Sequence, residues 1–215
     1  MLVKTLDNFR AALDKQLLLA ANYLNFLTTC KSQTIKPQPK VTEFRGSFVT
    51  LKITIGYARN DDQKQLARLK QRSGTQTVNI DFSFNEWIVD PIELSINGTD
   101  IPAYCKENMV AEKFRAILQQ IEKNKYRSND VFDLARLVSK PMDQGKVVQI
   151  LKETCKRRKV NVSPDSFKNP EYRKAASKGY EQIGIQIGDE TLPNFDASWA
   201  SIRAFFEKLP WEQGD

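Results

Sequence analysis

The 215-residue sequence contains no histidine. Without an imidazole, a Ser-His or Cys-His nucleophile pair cannot form, and a zinc site that uses histidine is equally excluded. Many classes of hydrolase are therefore ruled out.

Cysteines and long apolar runs are also scarce. Cys30, Cys105 and Cys155 are widely spaced and odd in number, which predicts free thiols in a reducing compartment. The longest apolar-rich run, residues 17–27, is broken by two asparagines and is shorter than the roughly 20 residues a membrane span needs. The N-terminus lacks the basic region, apolar stretch and small-residue cleavage site that follow one another in a secretion signal. We therefore expect a cytoplasmic protein with no membrane contact.

The composition is that of a globular protein with excess positive charge. Hydrophobic residues make up 40% and charged residues 27%, and lysine plus arginine exceed the acidic residues by 33 to 26, a net charge of +7. Such a charge favours a polyanionic partner such as nucleic acid. It fits general solubility equally well, so the charge leaves both readings open.

The N-terminal half combines one long helix with short strands. Apolar residues at helical spacing predict a helix over Thr5–Leu27, and Pro37 and Pro39 then predict an extended linker over Lys31–Lys40. Strict alternation predicts strands over 48–56 and 75–84, separated by a charged helical segment. The remaining strands, 92–96 and 100–104, flank Asn97-Gly98, a dipeptide that favours a hairpin turn. We expect a sheet of three or four strands.

The C-terminal half changes to helical periodicity. Its predicted helices are 110–123, 129–138, 144–158, 166–183 with a break at Pro170, and 197–209. The predicted fold class is therefore α+β, with an N-terminal helix and a small mixed or antiparallel sheet followed by a helical lobe. The predicted domains are residues 1–107 and 108–215.

The most specific motifs lie on two consecutive predicted helices. They are Ala111-Glu112-Lys113 and, after a short gap, Arg127-Ser-Asn-Asp130-Val-Phe-Asp133-Leu134. Together with the Ile80-Asp81-Phe82-Ser83 strand and a hydrophobic tail containing Trp199, they resemble the AbiEii/AbiGii nucleotidyltransferase-like toxins. The resemblance covers most of the chain from Phe48 onward, although only the two helical motifs are distinctive.

This resemblance implies a polymerase-β-like fold that transfers a nucleotide from a nucleoside triphosphate to RNA, with tRNA the expected substrate, and a cognate antitoxin protein. Mg²⁺ and the nucleoside triphosphate are the implied cofactors. Asp81 would match the third metal-binding carboxylate, Lys113 the triphosphate-facing lysine, and Asp130 and Asp133 the aspartates of the following helix. Triphosphate transfer needs such groups in any case, because carboxylates hold the divalent cations and a cation holds the phosphates.

One family motif is missing. The family's Gly-Ser turn with a following Asp-x-Asp, which holds two metals, has no counterpart, since the sequence contains no Asp-x-Asp. Gly46-Ser47 with Asp61-Asp62 does not match, because a strand follows the Gly-Ser and Gln63 stands at the second carboxylate. We expect either a chain that starts downstream of the metal motif or one that has lost catalysis. The alternative function is a catalytically inactive basic module that binds nucleic acid or a partner protein.

Each candidate residue also has a structural interpretation. Asp81 could face solvent and Lys113 could be surface charge. Asp133 could form a structural ion pair with Arg115 or Arg136, because a carboxylate near apolar positions needs a partner. A basic run at 152 and 156–159 is more typical of the charge at a helix C-terminus than of an RNA contact.

Overall fold

The computed structural model describes residues 2–23, 26–38, 50–83, 88–96 and 98–212, with side chains from residue 6 onward. It divides the chain into two compact units, Met1–Trp87 and Ile88–Asp215. Both combine helices with antiparallel strands, which confirms the α+β fold class.

The first unit is a helix packed on a three-stranded antiparallel sheet. In chain order its elements are α1 (Leu2–Tyr23), β1 (Thr28–Gln38), β2 (Thr50–Arg59), α2 (Gln63–Lys70) and β3 (Thr77–Ser83), with the sheet ordered β1-β2-β3. Its small core joins the buried Ile35, Leu51, Ile53 and Ile55 to Leu6, Phe9, Leu13 and Leu17 of α1. The helical and alternating patterns of the sequence are thereby confirmed, although α1 ends at Tyr23 rather than at Leu27.

The predicted linker over Lys31–Lys40 is wrong, because most of that segment belongs to β1. Pro37 takes part in the pairing, opposite Leu51 of β2. Since β1 lies at an edge of the sheet, a residue without a backbone N–H costs no ladder bond when that position faces outward. Pro39 lies outside the described residues.

Strand β3 has the predicted alternation but only a partly covered apolar face. Val78, Ile80 and Phe82 are 52%, 42% and 43% exposed, and β3 forms the other edge of the sheet. The Phe82 ring lies 6.1 Å from the Phe9 ring of α1 between centroids. Phe84, predicted for the same face, lies outside the described residues.

A polar network ties α1 to the sheet. Asp14 Oδ1 accepts a hydrogen bond from the Ser32 backbone N–H at 2.8 Å, and Asp14 Oδ2 accepts one from Arg72 Nη2 at 3.0 Å. Arg72 Nη1 also donates to the Ser32 carbonyl and hydroxyl. Burial alone would raise the pKa of Asp14, but the Ser32 hydrogen bonds and Arg72 outweigh it, so the pKa lies below its usual value.

The second unit is a hairpin followed by a helical bundle. Its elements are β4 (Ile92–Ile96), β5 (Thr99–Ala103), α3 (Lys106–Gln119), α4 (Ser128–Val138), α5 (Gln144–Arg158), α6 (Pro170–Ser177), α7 (Ile183–Gln186) and α8 (Phe195–Glu207). The two strands pair antiparallel, and Gly98 has a φ of +77°, as a hairpin turn requires. Asn97 lies outside the described residues. The strands form their own sheet instead of extending β1-β2-β3.

Aromatic packing organises the helical core. The Phe114, Phe167 and Phe206 side chains are almost completely buried, and each pair of rings lies within 5.3 Å between centroids. Trp199 stacks on Phe167 and is 4% exposed. The buried core of this unit contains residues of α3, α4, α5 and α8, so α3 and α4 are held by the same core.

The boundary between the units falls after Trp87, whereas the change to helical periodicity predicts one after residue 107. The difference arises because the β4–β5 hairpin groups with the helices. Within the described ranges, no helix is long and apolar enough to cross a membrane. Cys30, Cys105 and Cys155 are free thiols, as predicted.

Candidate functional site

Two neighbouring helices place three of the predicted site residues together. Helix α3 buries Val110, Phe114 and Ile117 and presents Lys113 beside them on its partly buried side. Helix α4 packs against α3 and carries Asp130 and Asp133, which are three residues apart and therefore lie on one helix face.

The Lys113 ammonium lies between the two carboxylates. Its Nζ donates to Asp133 Oδ2 at 2.6 Å and to Asp130 Oδ1 at 3.1 Å. The Lys113 side chain is 24% exposed and that of Asp130 15%. Both bonds are charge-assisted. The Asp130 bond is partly shielded from water, whereas the Asp133 side chain is 44% exposed, so solvent screens the Asp133 bond more.

The alternative partners of Asp133 are both engaged elsewhere. Arg115 bonds Glu112 on its own helix at 2.8 Å and also Gln119. Arg136 bonds Glu190 at 2.8 Å. The prediction of a structural pair between Asp133 and one of these arginines is therefore wrong, and Lys113 takes that place.

The pKa of Lys113 reflects two opposing effects. Burial disfavours the charged ammonium and by itself lowers the pKa. Together, the hydrogen bonds and charges of Asp133 and Asp130 outweigh burial, so the pKa of Lys113 lies above the ordinary lysine value of 10.5. Lys113 is therefore charged at neutral pH and is not suited to act as a base.

Arg127 joins this cluster, and the sequence reasoning did not select it. Its Nη1 lies 3.5 Å from Asp130 Oδ2, on the carboxylate that Lys113 also contacts. Its Nε is buried and has no hydrogen-bond partner among the described residues. The signal that could have found it is its place at the start of the Arg-x-x-Asp-x-x-Asp motif. We call Lys113, Arg127, Asp130 and Asp133 the α3–α4 charge cluster.

Asp81 belongs to the first unit and lies in a cationic setting. On β3 it pairs across the sheet with Lys52, which in turn pairs with Lys36 of β1. The three side chains line one cavity of about 410 Å³, and Asp81 is exposed. Two lysines beside one carboxylate make this face net positive, which suits an anion better than a divalent cation.

The residues present do not fit a two-metal centre. In the part of the chain that the structure describes, no three side chains of the types that bind metal ions come together. Asp130 and Asp133 are already engaged by Lys113 and Arg127. We therefore derive no reaction step through a metal ion.

The basic run lies at a helix end, as the sequence predicts. Lys156, Arg157 and Arg158 occupy the last turn of α5, and Lys159 follows as its left-handed C-cap. Cations at this end interact favourably with the helix dipole. Lys152 is used structurally, since its Nζ donates to the Trp211 carbonyl at 3.0 Å.

Comparison with protein families matches these elements to one group of nucleotide-transferring toxins. The family model described as nucleotidyl transferase AbiEii toxin, type IV toxin–antitoxin system, matches residues 4–206. The chain belongs to this family, as the resemblance implied. A toxin of such a system implies a cognate antitoxin. Comparisons with curated proteins and with solved structures gave no match.

Proposed function

We propose that this chain binds a nucleoside triphosphate through the α3–α4 charge cluster. We further propose that it takes part in the transfer of a nucleotide to RNA, with tRNA as the expected acceptor. The observation that carries the proposal is the Lys113 ammonium, which α4 holds between Asp130 and Asp133. A lysine fixed in this way has little rotational freedom to lose when it binds a phosphate.

The cluster has donors left for a phosphate oxygen. An ammonium carries three N–H donors, and Asp130 and Asp133 take two of those of Lys113. The buried Nε of Arg127 is a further donor without a partner among the described residues. Both cations contact Asp130, Lys113 at Oδ1 and Arg127 at Oδ2. We expect phosphate oxygens to accept from the remaining donors of these two side chains.

The same residues cannot supply the metal chemistry of transfer. Two-metal nucleotidyl transfer uses several carboxylates to hold cations at the attacking and leaving oxygens. Asp81 is the one carboxylate assigned to a metal, it stands beside Lys36 and Lys52, and the sequence contains no Asp-x-Asp. Mg²⁺ and a nucleoside triphosphate are the cofactors of an active family member. The 215-residue chain itself is expected to bind nucleotide and RNA without transferring label.

The RNA partner is supported by charge. The net charge of +7 favours association with a polyanion, and binding through several phosphates weakens steeply between about 50 and 200 mM salt. A protein antitoxin is the second expected partner.

The test incubates the purified chain with labelled nucleoside triphosphates, Mg²⁺ and total tRNA, and measures nucleotide binding, RNA retention and label transfer separately. We expect binding of both ligands and no transfer. Transfer of label to RNA by the wild type, and its loss in Asp81→Ala, would show a working metal site. That result would contradict the expected lack of transferase activity.

Binding controls separate nucleotide recognition from general positive charge. Lys113→Met is compared with Lys140→Met, which removes an exposed lysine just after α4. Nucleotide affinity that falls equally in both variants would contradict a specific role for Lys113. Salt-sensitive RNA retention without any nucleotide binding would favour the catalytically inactive interaction module instead.

A further inference from the structure

A second cavity lies in the helical unit, lined by none of the α3–α4 charge cluster. It measures about 220 Å³ and is formed by the turn after α3 and by helix α6 and the residue that follows it. Its lining includes Gln120, Lys125 and Tyr126 from the turn, and Lys174 and Lys178 from the other side. The volume is below the about 300–1,000 Å³ of typical small-molecule sites, so it suits one planar group.

The cavity is positively charged. Its lining contains three lysines and a single carboxylate, Glu171, which pairs with Lys174 at 3.8 Å. Within the described ranges, neither Lys125 nor Lys178 has a carboxylate within 4 Å. Unpaired ammonium groups at the rim of a cavity attract phosphates.

An exposed aromatic ring stands in the same cavity. Tyr126 is 57% exposed and takes no part in the aromatic core. Lys178 Nζ lies 4.8 Å from its ring centroid, so the cation and the ring are held together. An exposed ring with a neighbouring cation is the arrangement on which unpaired bases stack.

Gln120, one of the residues that line the cavity, has a buried side-chain oxygen with no partner in the described part of the chain. Gln120 is 1% exposed, and its Nε2 donates to the Tyr172 carbonyl at 2.9 Å. That bond fixes the amide orientation, because the flipped amide would set two oxygens against each other. Gln120 Oε1 then has no hydrogen-bond partner among the described residues. A buried acceptor of this kind is destabilising until a donor reaches it.

These features select the chemistry of the ligand. Lysines alone would suit any small anion, but a simple anion supplies no N–H for Gln120 Oε1 and gains nothing from Tyr126. A nucleotide carries a phosphate, a planar ring and N–H donors on its base edge. The combination therefore favours a nucleotide over inorganic phosphate.

We propose that this cavity binds one unpaired nucleotide of the acceptor RNA. The base stacks on Tyr126 and donates to Gln120 Oε1, while Lys125 and Lys178 contact the adjacent phosphates. The identity of the ligand as acceptor RNA rests on the proposed function. The position of the site rests on the cavity itself.

The experiment measures binding of a short fluorescein-labelled single-stranded RNA by fluorescence anisotropy across a salt series. Tyr126→Ala should weaken binding about tenfold, because stacking on an aromatic ring is worth that much per base. Tyr126→Phe keeps the ring and should bind as the wild type does. Lys125→Ala should weaken binding and lower the salt slope by about one. Lys208→Ala, an exposed lysine after α8, is the matched control and should change neither.

Several results would overturn the inference. Wild-type affinity in Tyr126→Ala, with thermal unfolding showing a folded protein, removes the stacking site. An effect of Lys208→Ala as large as that of Lys125→Ala shows general charge attraction only. Displacement of the RNA by an equal concentration of a nucleoside monophosphate identifies a free-nucleotide site and not an RNA site.

The two proposals fail separately. RNA binding that depends on Tyr126, in a chain that does not bind nucleoside triphosphate, would retain this cavity and reject the proposed function. Triphosphate binding that depends on Lys113, with RNA binding indifferent to Tyr126, would do the reverse.

Discussion

Lys113 Nζ lies 2.6 Å from Asp133 Oδ2, across the interface between α3 and α4. This contact joins the two motifs that carry the family resemblance. It also means that Lys113, the proposed phosphate contact, stabilises the packing of α3 on α4. Stability and nucleotide binding therefore have to be measured separately in any variant of this residue.

Replacing Lys113 by methionine should destabilise the helical unit by about 1–3 kcal/mol, because two carboxylates lose a charge-assisted partner. The loss should depend on pH in one direction. The pKa of Lys113 is raised on folding, so its contribution is complete below the ordinary value of 10.5 and disappears as pH rises through the folded value.

Urea unfolding of the wild type and Lys113→Met from neutral to strongly alkaline pH measures this difference. The free energies of unfolding of the wild type and Lys113→Met should become equal only at the most alkaline pH. That of Lys140→Met should stay close to the wild type at every pH. A gap that is unchanged at high pH would contradict the assignment of the stabilisation to the Lys113 ion pair.

Asp14→Asn should destabilise the first unit at neutral pH and have little effect in acid. The pKa of Asp14 is lowered on folding, so its contribution is present above its ordinary value of 3.8 and is lost as pH falls through the folded value. Thermal unfolding between about pH 2 and pH 6 tests this expectation. Asp7→Asn, an exposed aspartate on the same helix, is the control. An equal effect of both substitutions would argue against the Asp14–Arg72–Ser32 network.

Gly56→Ala should destabilise the sheet by about 1–3 kcal/mol through overpacking. A Cβ at Gly56 would lie 2.5 Å from Gln33 Nε2 and 2.9 Å from Leu69 Cδ1. Gln33 cannot move away freely, because its Oε1 accepts from the Gly74 N–H at 3.0 Å. Differential scanning calorimetry should show a melting temperature lowered by about 2–4 °C per kcal/mol.

Gly184→Ala is the matched control for this substitution. Its Cβ would meet its nearest neighbour, Leu192 Cδ2, at 3.9 Å, and it lies in helix α7, where alanine is favoured. The melting temperature should stay unchanged or rise. Equal losses for both glycines would remove the steric explanation.

The sequence predicted what depends on local pattern. Periodicity located most of the elements, and the spacing of Asp130 and Asp133 placed both on one face of α4. Strand β1 was not predicted because prolines favour a linker unless the strand is known to lie at the edge of a sheet. The partner of Asp133 escaped because Lys113 is 20 residues away, a distance that no helical periodicity reports.

The second cavity was beyond sequence reasoning for the same reason. Gln120 and Tyr126 come from one side of it and Lys178 from the other, more than 50 residues later in the chain. None belongs to a recognisable motif. Only tertiary packing brings an unpaired amide oxygen, a ring and three lysines together.

Binding of triphosphate by the α3–α4 charge cluster can be measured by equilibrium dialysis. Labelled nucleoside triphosphate is dialysed against the wild type, Lys113→Met and Lys140→Met. Loss of a charge-assisted hydrogen bond should weaken binding to Lys113→Met by at least about tenfold and leave Lys140→Met unchanged. Equal affinity in all three proteins would show that Lys113 does not hold the phosphates.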